Sequence, residues 1–181
     1  LANGPRTVLT VQLLRLDLVR GALGLELHDR ALKLLGNRLD MLDLGQLALI
    51  GDDRFALHLP GTLTEPEIEK LGMRIRSALE PELAVDGHVV HADLASGAAT
   101  GNEAPETLLD RAELALGRAL QRKLKTPTRF TPEFEFAIDR RRRMDAGLRK
   151  ALTAGALRVV YQPQVRLADG ELIGVEALVR W

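Results

Sequence analysis

The chain has 181 residues, 46% of them hydrophobic and 28% charged, enough for one globular domain and a remainder. Lys+Arg and Asp+Glu are equal at 25 each and aromatics are 3%, which argues against a nucleic-acid binder. There is no cysteine, which excludes a disulfide frame and a thiolate metal site and is compatible with a reducing cytoplasm.

No apolar run approaches the roughly 20 residues of a membrane span. The start, Leu1-Ala2-Asn3-Gly4-Pro5, has no initiator Met and no signal-peptide pattern. The chain stops at Trp181, directly after an apolar run. Both ends are therefore expected to be cuts in a longer protein.

Thr7 to Asp17 (TVLTVQLLRLD) is an almost unbroken Val/Leu run, which predicts a strand buried on both faces. From Asp29 to Leu42, Leu32, Leu35, Leu39 and Leu42 keep helical spacing. Leu47-Ala48-Leu49-Ile50, a turn at Gly51-Asp52-Asp53, and alternating Phe55, Leu57 and Leu59 predict a β-hairpin ended by Pro60-Gly61. Thr64-Glu65-Pro66 opens a helix with Ile68, Leu71, Ile75, Ala78 and Leu79 on one face. Val90, Ala92 and Leu94 alternate as a strand, and Leu108, Leu109, Ala112, Ala115, Leu116, Ala119 and Leu120 form a helical stripe. A short strand at Thr128 to Phe130 closes the unit. Helices recurring between strands predict an α+β (α/β-like) domain: one mostly antiparallel sheet flanked by helices.

Residues 132–155 read as a connecting helix with Ala137, Met144, Leu148, Ala151 and Leu152 on a face and Gly155 at its end. Its run Arg140-Arg141-Arg142-Arg143 fits a solvated surface paired with Glu133, Glu135 and Asp139; phosphate or membrane-surface contact is the sharper alternative. Val159 to Val165 and Leu172 to Trp181 flank Ala168-Asp169-Gly170, a second hairpin. On its second strand Ile173, Val175, Ala177 and Val179 point one way, Glu176, Leu178 and Arg180 the other. Glu176 and Arg180 either pair with each other or face a ligand.

The segment YQPQVRLADGELIGVEALVRW, Tyr161 to Trp181, closely resembles the opening of the EAL domain, with YQP, the Asp-Gly hairpin and Glu176-Ala177-Leu178 at the family's spacing. The upstream unit, about residues 7 to 131, is similar to a GGDEF domain. Gly51-Asp52-Asp53-Arg54-Phe55 and the strand ending in Pro60-Gly61 fall where that family carries its signature loop. LLDRAELALGRAL, Leu108 to Leu120, resembles the family helix LLxxADxAMYxAK. Leu13 to Asp17 sits at a D-x-D strand, and His28-Asp29 where the next helix opens with GD.

The resemblance implies joining of two GTP molecules, the 3′-hydroxyl of one attacking the α-phosphate of the other, with Mg²⁺ held on carboxylates. Against that pattern Arg15 replaces the first metal-binding Asp, Asp52 the second loop Gly, and Arg54 the loop Glu; of the acidic positions only Asp53 is kept. The segment between Asp17 and Asp29 is shortened, Leu23 falls near a guanine-contacting Asn, and Leu120 replaces a phosphate-contacting Lys. The product-inhibition pair R-x-x-D would fall at Leu42 and Gly45. Cyclase activity is therefore not expected. His28, His58, His88 and His91 show no ligand spacing with acidic partners, and His58 and His91 read as packing or surface residues.

In the EAL part, the resemblance makes Glu176 a metal ligand for Mg²⁺ or Mn²⁺ and places Gln162 and Arg180 on cyclic di-GMP, all within a complete EAL domain only. The expected organisation is a degenerate GGDEF domain at 1–131, a linker helix at 132–155 and a truncated EAL start at 156–181. The expected function is a catalytically inactive regulatory GGDEF domain in a bacterial cyclic di-GMP signalling protein. Two alternatives stay open for the parent: an active cyclic di-GMP phosphodiesterase, or a non-catalytic receptor for the dinucleotide. No cofactor is expected for this segment itself. GTP binding stands between Arg15 and Arg54, which could meet phosphates, and Asp52, which argues against it. A homodimer is left open, and the location is expected to be cytoplasmic, with upstream segments free to anchor the parent.

Overall fold

The computed structural model describes residues 4–181, with the side chains of residues 137–139 and 141–142 outside that description. In chain order the elements are β1 (Arg6–Leu14), α1 (Leu16–Leu23), α2 (Leu25–Asp40), β2 (Gln46–Leu49), β3 (Arg54–Pro60), α3 (Glu65–Leu79), β4 (Leu83–Val85), β5 (His88–Val90), β6 (Asp93–Gly101), α4 (Pro105–Arg122), β7 (Thr128–Arg129), α5 (Glu133–Thr153), β8 (Arg158–Val165) and β9 (Leu172–Arg180). The chain divides into two compact units, one running to Phe134 and one spanning Glu135–Trp181.

The first unit is an α+β domain built on a five-stranded sheet in the order β2-β3-β1-β6-β7. β1 lies in the middle and pairs antiparallel with β3 (Leu9 opposite Leu57) and β6 (Leu9 opposite Ala98). β7 joins β6 in parallel, so the sheet is mixed with antiparallel pairs dominant. One face carries Leu9, Val11, Leu13, Phe55 and Leu57 against Leu35, Leu39, Ile68, Ile75 and Leu79 of α2 and α3. The other face is covered by α4, with Val8 and Ala99 against Leu108 and Ala112, and Ala95 against Leu116 and Ala119.

The second face explains the composition of β6. Its sequence, DLASGAATG, is poor in the branched and aromatic residues that favour strands. Yet a Cβ on Gly97 would lie 2.2 Å from the Leu116 nitrogen and 2.3 Å from the Ala112 oxygen. Small residues let α4 approach the sheet backbone itself. The buried Thr10 hydroxyl sits at the same contact, 3.3 Å from the Gly97 carbonyl and 3.2 Å from that of Ala112.

Several expected boundaries change. The first strand ends at Leu14, not Asp17, because Arg15 turns to a φ of 70°, a left-handed conformation that stops the ladder and starts α1. Asp17 is therefore a first-turn helical residue. α2 begins at Leu25, after Gly24 at φ 89°, and ends at Asp40 rather than Leu42. The strand expected around Val90 to Leu94 is two elements: β5 closes a small hairpin with β4 through Asp86 and Gly87, both at positive φ, and β6 runs on to Gly101. α3 opens as expected, the Glu67 carboxylate accepting hydrogen bonds from the Thr64 backbone N–H and hydroxyl, each at 2.7 Å.

In the second unit, α5 ends where Gly155 takes φ 63° and the Ala156 N–H donates to the Ala151 carbonyl at 2.9 Å. Of its expected apolar face, Ala151 is buried while Met144, Leu148 and Leu152 are exposed; Ala137 lies outside the described residues. So do Asp139, Arg141 and Arg142, and with them the expected pairing of the arginine run. β8 and β9 form the expected antiparallel hairpin, with Gly170 at φ 74° in the turn. The Arg166 guanidinium straddles the Asp169 and Glu171 carboxylates at 2.7 Å each. Among the described residues no helix is long and apolar enough to cross a membrane.

Candidate functional site

The β2–β3 hairpin delivers the charged loop Gly51-Asp52-Asp53 to the C-terminal end of β1. Two backbone bonds fix it there: Ile50 N–H to the Arg54 carbonyl at 2.9 Å, and Leu13 N–H to the Asp53 carbonyl at 2.8 Å. Beside the loop lies a cleft of about 580 Å³ between α1, α2 and the hairpin, walled by Leu25, Leu32, Leu49 and Phe55. Gly36 shapes its floor, since a Cβ there would stand 3.1 Å from the Phe55 ring. A second cleft of about 490 Å³ shares Arg20, His28, Gly51 and Asp52 with the first and adds Asp17, Asp53 and Arg54.

The charges of the loop are taken up by the chain itself. The Gln12 amide donates to the Asp53 carboxylate at 2.9 Å. The Arg54 Nε stands 3.9 Å from the other Asp53 oxygen, and its Nη1 pairs with the Glu113 carboxylate of α4. Arg20 pairs with Asp52 at 3.3 Å on the open surface, a contact of small energetic weight. His28 is buried, 3% exposed, with Nδ1 3.0 Å from the exposed Asp29 carboxylate.

Asp52, Asp53 and Arg54 thus come together at one cleft. Arg15 does not: it is exposed at the strand–helix junction and lines neither cleft, because its left-handed turn takes it off the strand. Leu23 ends α1, 40% exposed, and Leu120 is packed beside Ala95, Leu116 and Ala119. His91 is exposed, and His58 is partly buried with an Nε2 that has no hydrogen-bond partner among the described residues. Gln12, Arg20 and Glu113 are not marked by the sequence pattern. Gln12 looks like an ordinary member of an apolar strand, Arg20 like a solvated helix residue, and Glu113 like the polar side of a stripe. Only the tertiary arrangement gives them partners.

The donor set of this loop does not fit a divalent cation. Among the described residues no three His, Asp or Glu side chains converge as ligands. The Asp53 carboxylate already accepts from Gln12 and faces a guanidinium. A hard cation needs several oxygen ligands and no fixed positive charge among them.

On the hairpin of the second unit, Gln162 stands directly opposite Glu176, and Arg180 lies four residues on along the same face. No ion pair joins Glu176 to Arg180 among the described residues; the Arg180 guanidinium donates to the Val179 carbonyl at 3.0 Å. Leu178, half-buried, lies between them.

No family model matches the chain. An uncharacterized protein of Mycobacterium tuberculosis is 30% identical over 183 residues, covering 98% of this chain and 29% of that protein. The cyclic di-GMP phosphodiesterase NbdA of Pseudomonas aeruginosa is 29% identical over 168 residues, covering 90% of this chain and 21% of NbdA. The chain thus spans less than a third of the length of these curated relatives. Among solved structures, the GGDEF domain of TpbB (YfiN) from Pseudomonas aeruginosa superposes with a TM-score of 0.66 at 19% identity, over 75% of this chain and 83% of that one. Identity that low carries architecture and no chemistry. The chain has the fold of GGDEF domains, the diguanylate cyclase fold.

Proposed function

We propose that the first unit is a catalytically silent, regulatory GGDEF module of a bacterial cyclic di-GMP signalling protein, followed by the opening of an EAL domain. The observation that carries this reading is the self-neutralised signature loop. Asp53 is held by Gln12, and Arg54 occupies the space between Asp53 and Glu113. Transfer at the α-phosphate of GTP needs a metal to offset the developing charge. A loop whose carboxylates are spent on internal donors has nothing left to hold one. The module's remaining role is to carry state into the residues that follow it, with α5 as the covalent link. The full chain incubated with GTP and Mg²⁺ is expected to yield no cyclic di-GMP; measurable product overturns the reading.

A second reading concerns the parent protein, which would hydrolyse cyclic di-GMP through its EAL domain. It is favoured by Gln162, Glu176 and Arg180 sharing one hairpin face, with Glu176 free of Arg180. The similarity to NbdA, a cyclic di-GMP phosphodiesterase, supports the same reading. A receptor that binds the dinucleotide without cleaving it uses the same face. Calorimetry of the full-length parent with cyclic di-GMP, beside a hydrolysis assay, separates the two.

A further inference from the structure

We propose that Arg54 is a built-in counter-ion that stands where a divalent cation would otherwise be needed, pinning the signature loop to α4 by bridging Asp53 and Glu113. It builds on the reading of Gly51 to Phe55 as a worn signature loop, but it concerns cation dependence and not turnover.

The geometry has three parts. Arg54 is the first residue of β3, opposite Gln12, so its backbone is fixed by the sheet and only its side chain is free to choose partners. The guanidinium folds beneath Gly51, where a Cβ would come within 3.5 Å of Nε. From there it reaches Asp53 on one side and Glu113 on the other. All three side chains are partly shielded, at 37%, 32% and 28% exposure, so the charges act on one another more strongly than an open surface pair. Glu113 also keeps a second oxygen, Oε1, buried with no hydrogen-bond partner among the described residues.

Removing the guanidinium therefore does more than delete a bond. Two carboxylates are left flanking the vacated space, one with a buried and unsatisfied oxygen and the other with only the Gln12 amide N–H donating to it. Like charges so placed either repel or recruit a cation. The account makes cation dependence an acquired property of the variant: the native chain ignores divalent ions, and a chain without Arg54 asks for one.

The test uses the full chain and Mn²⁺ alone, without nucleotide, in wild type, Arg54→Ala, Arg54→Lys and Arg54→Ala/Glu113→Gln. Arg54→Ala is expected to melt below wild type and to regain at least about 3 °C with millimolar Mn²⁺, as mass action on a native-state site requires. Its amides at Asp53 and Glu113 broaden in the paramagnetic ion's presence, with Mn²⁺ bound at least tenfold more tightly than by wild type. Wild type, Arg54→Lys and the double variant show neither response. If Arg54→Ala is unfolded without metal, the same titration is read as recovery of far-UV circular dichroism, and absence of recovery counts against the proposal. A variant indifferent to Mn²⁺, or a wild type that responds as strongly, overturns it. Cyclic di-GMP formation by wild type would end the silent-module reading while leaving the Mn²⁺ comparison intact.

Discussion

The five-stranded sheet buries Leu9, Val11 and Leu13 completely, while on the β8–β9 hairpin Tyr161, Val175 and Val179 stay more than half exposed. Both regions carry local strand signals: runs of apolar residues that pair antiparallel, with a Gly/Asp turn at Gly51-Asp52 in the sheet and an Asp-Gly turn at Asp169-Gly170 in the hairpin. What differs is cover. The sheet has α2 and α3 on one face and α4 on the other, so its apolar residues leave water twice over. Within the second unit the close approach is that of the Trp181 ring to Gly147 of α5, where a Cβ would lie 2.9 Å away. Strand formation follows from local pattern; stability follows from what packs on the strand.

The difference can be broken or sharpened by substitution, and the largest effect belongs to the sheet. Leu9→Ala is expected to cost about 3 kcal/mol, since a fully buried leucine leaves a cavity that close packing cannot collapse. Val175→Ala on the hairpin is expected to stay within about 0.5 kcal/mol. Urea unfolding followed by circular dichroism measures the first. The fluorescence of Trp181, the single tryptophan, reports the second unit separately. Equal costs at the two sites would erase the contrast.

Next comes the α4 contact. Gly97→Ala places a Cβ against the backbone of Leu116 and Ala112 and is expected to cost about 2 kcal/mol by overpacking. Gly117→Ala, on the same helix with open space around it, is expected to be neutral or slightly stabilising. A Gly97→Ala chain as stable as wild type would mean that the small residues of β6 are not there to admit α4.

The smallest expected effect is a pH dependence at the start of α3. Hydrogen bonds from the Thr64 hydroxyl and backbone N–H hold the Glu67 carboxyl below the usual glutamate range. The unfolded chain therefore binds the proton more readily, and stability rises with pH through that window. The advantage of wild type over Glu67→Gln in melting temperature is expected to be full at neutral pH. It should shrink as pH falls below about 4.3 and on through the lowered native value. A difference that does not change with pH would remove the charged cap from the account.

These contrasts also explain what the sequence could and could not disclose. The β2–β3 and β8–β9 hairpins, α3 and α4 are legible because their periodicity and turn residues agree. α1 is hidden inside TVLTVQLLRLD and the leucines after it, since nothing local announces that Arg15 will adopt a left-handed φ. β6 is hidden by its own composition, its glycine and alanines chosen for the helix above and not for the strand. The Asp86-Gly87 turn is present in the sequence, yet its two arms, β4 and β5, have only three residues each and give alternation too little length to show. At the candidate site, Asp52, Asp53 and Arg54 follow from resemblance to a motif. The partners that decide their chemistry, Gln12 and Glu113, come from 41 and 59 residues away along the chain. Arg15, by contrast, lies just beyond the end of β1 and lines neither cleft, a placement that strand pattern alone does not disclose.

The central claim is that this loop, already neutralised from within, has no place for the magnesium that nucleotide joining requires. Titration calorimetry of the full chain with GTP, once with Mg²⁺ and once with a chelator in its place, tests it most directly. The account predicts that Mg²⁺ leaves the isotherm unchanged. A GTP affinity that tightens tenfold or more when Mg²⁺ is supplied would contradict it.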